Sequence, residues 1–358
     1  MHMNQLIKEA PALIDAGVSM EWISPPGRGK STLVADLVAM MSRRDNEQWG
    51  FAELFLATQT PPDLIGYQFK GEVEFDGQKF PITDPTAPTW YLTKDNKPVF
   101  AYRRGILLLD EFGQGQTDVK AASAELLLNK RLGKWKLPDG WIVIACSNRT
   151  SDRSGVTKSL DFVINRRLEI HISDDLQSWK DWAISAGIDP LFVAFAENNS
   201  QLVFTDGVPE KQGPWCTPRT LVMCARVFDK MRDGKGEFRT DAVASEIASG
   251  LVGAPTAAQI IATIKLANEM PDFGDICRDP NGVKVPERPD AQMLVVYNLA
   301  HRVTEKTASP VIEYMQRMPK DFGVIFARAS LRRDPMLLHT AAFDKWVAAN
   351  ASVLVAIS

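Results

Sequence analysis

The feature that most constrains this chain is a lysine and two hydroxyls closing a glycine-containing turn, Ser24-Pro25-Pro26-Gly27-Arg28-Gly29-Lys30-Ser31-Thr32. The run Val18-Ser19-Met20-Glu21-Trp22-Ile23 reads as a short strand entering the turn, and Leu33-Val34-Ala35-Asp36-Leu37-Val38-Ala39-Met40-Met41 leaves it with helical spacing. Strand, loop and helix in that order are the setting in which backbone N–H groups wrap phosphates and the helix N-terminus adds positive potential. The spacing assigns Pro26, Gly27, Arg28, Gly29, Lys30, Ser31 and Thr32 to phosphate binding, with Lys30 on the β/γ-phosphates and the Ser31 hydroxyl on Mg²⁺. The strict G-x-x-x-x-G-K-[ST] string is not met, because Ser24 stands where it asks for glycine.

Downstream, Gly105-Ile106-Leu107-Leu108-Leu109-Asp110-Glu111 is an unbroken apolar run ending in two carboxylates. It reads as a strand buried on both faces with acids at its C-terminal edge, where open α/β sheets bind ligands. Asp110 is placed to hold Mg²⁺, and Glu111 to polarise the water attacking a γ-phosphate. A third strand, Trp141-Ile142-Val143-Ile144-Ala145-Cys146-Ser147-Asn148, ends in an amide suited to the γ-phosphate or to that water.

The order of these signals resembles the AAA+ ATPases and, within them, the MoxR-like group. Asp110-Glu111 matches Walker B and Asn148 matches sensor 1. Thr60-Pro61-Pro62-Asp63-Leu64-Ile65-Gly66 is similar to the segment after the second strand of MoxR-like proteins, and Ala124-Glu125-Leu126-Leu127-Leu128-Asn129-Lys130-Arg131 to their helix after Walker B. Leu160-Asp161-Phe162-Val163-Ile164-Asn165-Arg166-Arg167-Leu168 resembles the segment carrying the family's arginine finger. Arg166 is the match; Arg167 stands where an aromatic is usual, so either guanidinium could be the finger. Cys216-Thr217-Pro218-Arg219-Thr220-Leu221 resembles sensor 2, with Arg219 at a lid-helix N-terminus.

The resemblance implies a P-loop AAA+ α/β core with a parallel sheet flanked by helices, then an α-helical lid and a helical C-terminal extension. Its boundaries would be 1–173, 174–253 and 254–358. It implies ATP and Mg²⁺ as cofactors, and a homo-oligomer, a hexamer, as ring or spiral. It further implies a protein client that is remodelled or matured with a von Willebrand factor A domain partner. An ATP-dependent DNA-binding assembly or nucleic-acid motor is the alternative. A third class is a scaffold that binds ATP and hydrolyses it slowly, against which the intact Asp110-Glu111 pair argues.

Between Gly66 and Gly105, Asp76-Gly77 within alternating residues signals a hairpin. Lys130-Arg131-Leu132-Gly133-Lys134-Trp135-Lys136 is a basic turn with one aromatic. It could hold nucleic-acid phosphates with Trp135 stacked on a base, or be a hairpin whose tryptophan packs on its own sheet. A net charge of −3 gives nucleic-acid binding no independent support. No apolar stretch approaches the roughly 18 residues that span a bilayer, and the N-terminus lacks a signal peptide's apolar core, so a cytoplasmic protein is expected. Cys146, Cys216, Cys224 and Cys277 have neither zinc-site nor disulfide-scaffold spacing.

Overall fold

The computed structural model describes residues 1–349 except Arg153, Ser154, Lys158, Ser159, Lys235 and Glu269. The chain divides into two compact units. The first holds Met1–Asp174 with Asp206–Val208; the second holds Asp175–Thr205 and Pro209 onward.

In the first unit the order is α1 (Met3–Asp15), β1 (Met20–Ile23), α2 (Lys30–Asp45), β2 (Gly50–Phe55), α3 (Pro61–Ile65), β3 (Gln68–Phe75) and β4 (Gln78–Pro85). Then come β5 (Arg104–Asp110), α4 (Thr117–Asn129), β6 (Arg131–Leu132), β7 (Trp135–Lys136), β8 (Gly140–Ser147), α5 (Asp161–Ile164) and β9 (Leu168–His171). Among the described residues, β2-β5-β8-β1-β9 form one parallel sheet, as the alternation of strand and helix patterns requires.

Period-two alternation sorts the side chains of each strand into two cores. Ile106 and Leu108 of β5, and Ile142, Ile144 and Cys146 of β8, join residues of α1 and α2 on one face. Leu107 and Leu109, with Trp141, Val143 and Ala145, join α4 and α5 on the other. Ile106 to Leu109 are all 0% exposed, and each such side chain contributes about 1.5–3 kcal/mol. The Cys146 thiol is buried among them, and that burial pushes its pKa far above the ordinary thiol range, so it acts as a small hydrophobe.

The hairpin expected at Asp76-Gly77 is β3–β4, with Phe75 opposite Gln78. The helix expected over Ala124–Arg131 stops at Asn129, because Lys130 takes the left-handed conformation (φ 55°) that ends it, and Arg131 begins β6.

The second unit contains α6 (Leu176–Ser185), α7 (Pro190–Asn198), α8 (Ser200–Val203), α9 (Pro218–Lys230), α10 (Ala242–Val252) and α11 (Ala254–Asn268). It continues with α12 (Phe273–Arg278), α13 (Pro289–Arg302), α14 (Ala308–Met315), α15 (Lys320–Arg333) and α16 (Ala341–Ala349). The expected boundary between lid and extension at 253/254 falls inside this unit. One apolar cluster runs from Trp179 through Phe192, Val296 and Phe326 to Val347, because each amphipathic helix buries its stripe against helices on both sides of that boundary. Positions 350–358 of the expected extension lie outside the described residues. The loop expected at Cys277–Pro286 begins only at Asp279, since Cys277 and Arg278 complete α12.

Gly105 of β5 and Gly50 of β2 are paired, and the Trp141 indole of β8 lies across them, donating from Nε1 to Tyr102 O at 3.0 Å. A Cβ on Gly105 would stand 2.6 Å from two indole carbons. Gly105→Ala should therefore destabilise the fold by about 1–3 kcal/mol. Gly250→Ala, in α10 with no atom within 4 Å of the new methyl, should stabilise it by about 0.5–1 kcal/mol. Denaturant midpoints of the two variants check both.

Candidate nucleotide-binding site

Because β1, β8 and β5 are parallel neighbours, their C-terminal ends open on one edge of the sheet. The turn after β1 passes through left-handed glycines, Gly27 at φ 74° and Gly29 at φ 82°, and Gly29 is the N-cap of α2. A side chain would be strained at Gly29 whatever the space around it. Lys30 is the first residue of α2 and is only 8% exposed. Its ammonium donates to Ser24 O (3.2 Å), Ser24 Oγ (3.1 Å), Pro25 O (3.4 Å) and Asn148 Oδ1 (2.9 Å). A buried ammonium needs such partners. Ser24, where the strict motif has glycine, thus supplies the amine with a hydroxyl that glycine lacks.

Ser31 Oγ donates to Asp110 Oδ2 at 2.7 Å, joining the first turn of α2 to the end of β5. Asp110 Oδ1 accepts from the backbone N–H of Glu111 at 3.0 Å. Asn148, just past β8 and 7% exposed, donates from Nδ2 to Glu111 Oε2 at 3.2 Å. Lys30, Asn148, Glu111, Asp110 and Ser31 thus form one hydrogen-bonded arc across three strand ends. Glu111 sits at φ 50°, a left-handed conformation that costs a non-glycine residue about 1–3 kcal/mol and is typical of functional turns.

The donor set fits a triphosphate with Mg²⁺. An ammonium and a helix N-terminus face the loop that would wrap phosphate oxygens. The Ser31 hydroxyl and Asp110 carboxylate, already within hydrogen-bond distance of each other, are the oxygen ligands a hard cation takes. Among the described residues there is no cluster of three or more His, Cys, Asp or Glu side chains able to hold a metal unaided.

Pro26 and Gly29 are half-buried, Gly27 is buried, and Thr32 is exposed on α2. Arg28 does not point into the arc. Its guanidinium, 3% exposed, grips Asp174 through Nε (2.6 Å) and Nη2 (2.9 Å). Nothing in the sequence links positions 146 residues apart.

The two adjacent arginines are separated by the structure. Arg166 is half-exposed, its guanidinium 5.4 Å from the centre of the exposed Phe162 ring. The Arg167 side chain is 3% exposed and ion-paired with Glu21 of β1, so it is turned into the interior of the first unit. Of the two finger candidates, Arg167 is thus the one held in a buried ion pair. Arg219, in the second unit, is exposed at the start of α9, whose Thr217 and Thr220 form a reciprocal capping box at 3.2 and 2.8 Å.

The basic turn is neutralised locally. Lys134 pairs with Asp84, Lys136 with Asp139 at 2.9 Å, and Arg131 with Glu125 at 2.9 Å. Trp135 packs against Tyr91 with ring centres 5.1 Å apart and donates to Ile65 O at 3.1 Å. Trp135 thus packs outside its own two-stranded sheet, and the three paired cations remain exposed. No helix among the described residues is long and apolar enough to cross a membrane.

No family model and no curated protein matches the chain. Solved structures do. A point mutant of Thermotoga maritima RuvB aligns at 9% identity over 77% of this chain and 75% of its own, with a TM-score of 0.38. Brucella abortus NtrX in complex with ATP aligns at 14% identity over 98% and 67%, with a TM-score of 0.38. Hsp104, reconstructed in a closed state with ATPγS and FITC casein, aligns at 15% identity over 72% of this chain, which spans only 42% of Hsp104, with a TM-score of 0.35. At these scores the function rests on the site itself.

Asp174→Ala removes the carboxylate held by the buried Arg28 guanidinium and should cost about 3 kcal/mol of stability, the low end for a broken buried pair because Asp174 is 30% exposed. Thermal unfolding of that variant beside wild type measures it.

Proposed function

We propose that this chain is a P-loop ATPase of the AAA+ type that hydrolyses ATP with Mg²⁺ at the edge of its parallel sheet. The observation that carries the reading is the arc from Lys30 through Asn148 and Glu111 to Asp110 and Ser31. In it a phosphate-binding ammonium, a water-polarising carboxylate, an amide and a hydroxyl–carboxylate pair stand together.

When bound, Mg²⁺ would neutralise charge on the β- and γ-phosphates, held by Ser31 and Asp110. Lys30 would exchange its carbonyl partners for phosphate oxygens. Glu111, kept in place by Asn148, would take the proton of the attacking water, and Asn148 would orient that water or the γ-phosphate. Glu111 and Asn148 therefore act as a unit.

Arg166 is our choice for a finger acting on a neighbouring copy, and Arg219 for a guanidinium acting on its own subunit's nucleotide. Each would neutralise charge spread over the γ-phosphoryl oxygens in a loose transition state. Delivery of Arg166 in trans makes assembly part of catalysis, as a hexameric ring or an open spiral. The MoxR-like resemblance extends this to a protein client remodelled with a von Willebrand factor A domain partner, in the cytoplasm. The ion-paired basic turn and packed Trp135 favour a protein client over a nucleic acid.

Three variants test the reading. Lys30→Ala should lose ATP binding, and Glu111→Gln should bind ATP with turnover reduced at least about a hundredfold. Arg166→Ala should lose about 10³-fold or more in kcat. Wild-type turnover should rise faster than linearly with protein concentration. Linear turnover indifferent to Arg166→Ala would overturn the shared site, and stimulation by DNA that fades with added salt would favour the nucleic-acid motor.

A further inference from the structure

Charged side chains are buried within the largely apolar face of the sheet that packs on α4 and α5. There, Glu21 of β1 and Arg167 lie 4% and 3% exposed, joined by an ion pair through Arg167 Nε and Nη2. Lys120 of α4, 1% exposed, stands beside them, and burial holds its ammonium below the ordinary lysine value, opposed by the Glu21 charge and reinforced by that of Arg167.

The pair touches or adjoins the segments of the first unit that carry Ser24, Glu111, Asn148 and Arg166. Glu21 lies three residues before Ser24, on the strand that feeds the phosphate loop. Its Oε1 accepts from Ser147 Oγ, the residue before Asn148. The Arg167 guanidinium lies 5.4 Å from the centre of the Phe112 ring, the residue after Glu111. Its Nη1 donates to Val163 O at 2.8 Å, fixing α5 just ahead of Arg166. Glu169 of β9 stands 3.8 Å away as a second carboxylate. A parallel tie runs through Lys120, which donates to Thr157 O at 2.7 Å while Thr157 bonds Gly113 O and Gly115 O at 2.9 and 3.0 Å. The turn after Glu111 is thus linked to the chain leading into α5.

We propose that Glu21 and Arg167 are a positioning pair for hydrolysis, locking the phosphate-loop strand, the Glu111 turn, the Asn148 strand end and the Arg166 segment into one fixed arrangement. The inference rests on the ATPase reading above and assigns Arg167 a role inside its own subunit. Two charges buried in an apolar face are a poor source of stability, since hydrophobic residues of similar volume often do as well. A planar fork with five donors does what such residues cannot, fixing several segments at defined angles at once.

The experiment compares wild type, Arg167→Lys and the double variant Glu21→Gln/Arg167→Met, which removes both buried charges together. ATP affinity should stay within about threefold and unfolding midpoints near wild type, while kcat falls at least about tenfold, since small misplacements of reacting groups cost up to about 10²-fold. Arg167→Lys, which keeps the charge but not the fork, should lose kcat likewise, and it carries the test should the double variant not fold. Wild-type kcat in the folded variants would overturn the positioning role alone. Absence of ATP hydrolysis by the wild type would overturn the ATPase reading and this inference with it.

Discussion

Parallel hydrogen bonding of β1 to β8 and of β8 to β5 is the constraint on which the rest of this molecule depends. Strands running the same way deliver their C-terminal residues to one edge, and here those residues are the phosphate loop, Asn148 and the Asp110-Glu111 pair. With β8 in the middle, Asn148 lies between the other two, within reach of both Lys30 and Glu111. An antiparallel neighbour would send one of these groups to the opposite edge, and the arc could not close.

The sheet must also hold those ends rigidly, and its two faces do so by different means. Toward α1 and α2 the packing is apolar from Leu6 to Ile172. Toward α4 and α5 the apolar layer is interrupted by Glu21, Arg167 and Lys120, whose directed bonds reach across β1, β8 and α5 and whose guanidinium rests on the turn after β5. Apolar packing fixes distances loosely, whereas a buried guanidinium satisfied by a carboxylate, a carbonyl and an aromatic face fixes orientation as well. The strained φ of Glu111 is tolerated in this setting because its neighbours over-determine it.

Much of the candidate site was legible in the sequence, in that the residues it singled out lie together. Lys30, Ser31, Asp110, Glu111 and Asn148 announce themselves because their chemistry is local: a glycine turn before a helix, and polar residues directly after buried strands. The contribution of Ser24 was hidden, since its hydroxyl matters only through its distance to the Lys30 ammonium. Arg28 and Arg167 were hidden for the same reason. In the sequence each is one arginine in a promising segment, and their partners Asp174 and Glu21 lie 146 positions away in both cases. The basic turn illustrates the converse, because its charges look available until Asp84, Asp139 and Glu125 are found beside them.

The sequence by itself determined the α/β character of the first unit, the helical character of the second, the strands that bear the acids and the loop that precedes α2. Periodicity and backbone preference act over a few residues, so they can be read from a few residues. The tertiary structure alone decided the order of strands in the sheet, the merging of helices on both sides of 253 into one core, and which of Arg166 and Arg167 is held in a buried ion pair. Those outcomes depend on where distant segments bury their surface and which charges they neutralise, and no local pattern in the chain encodes that.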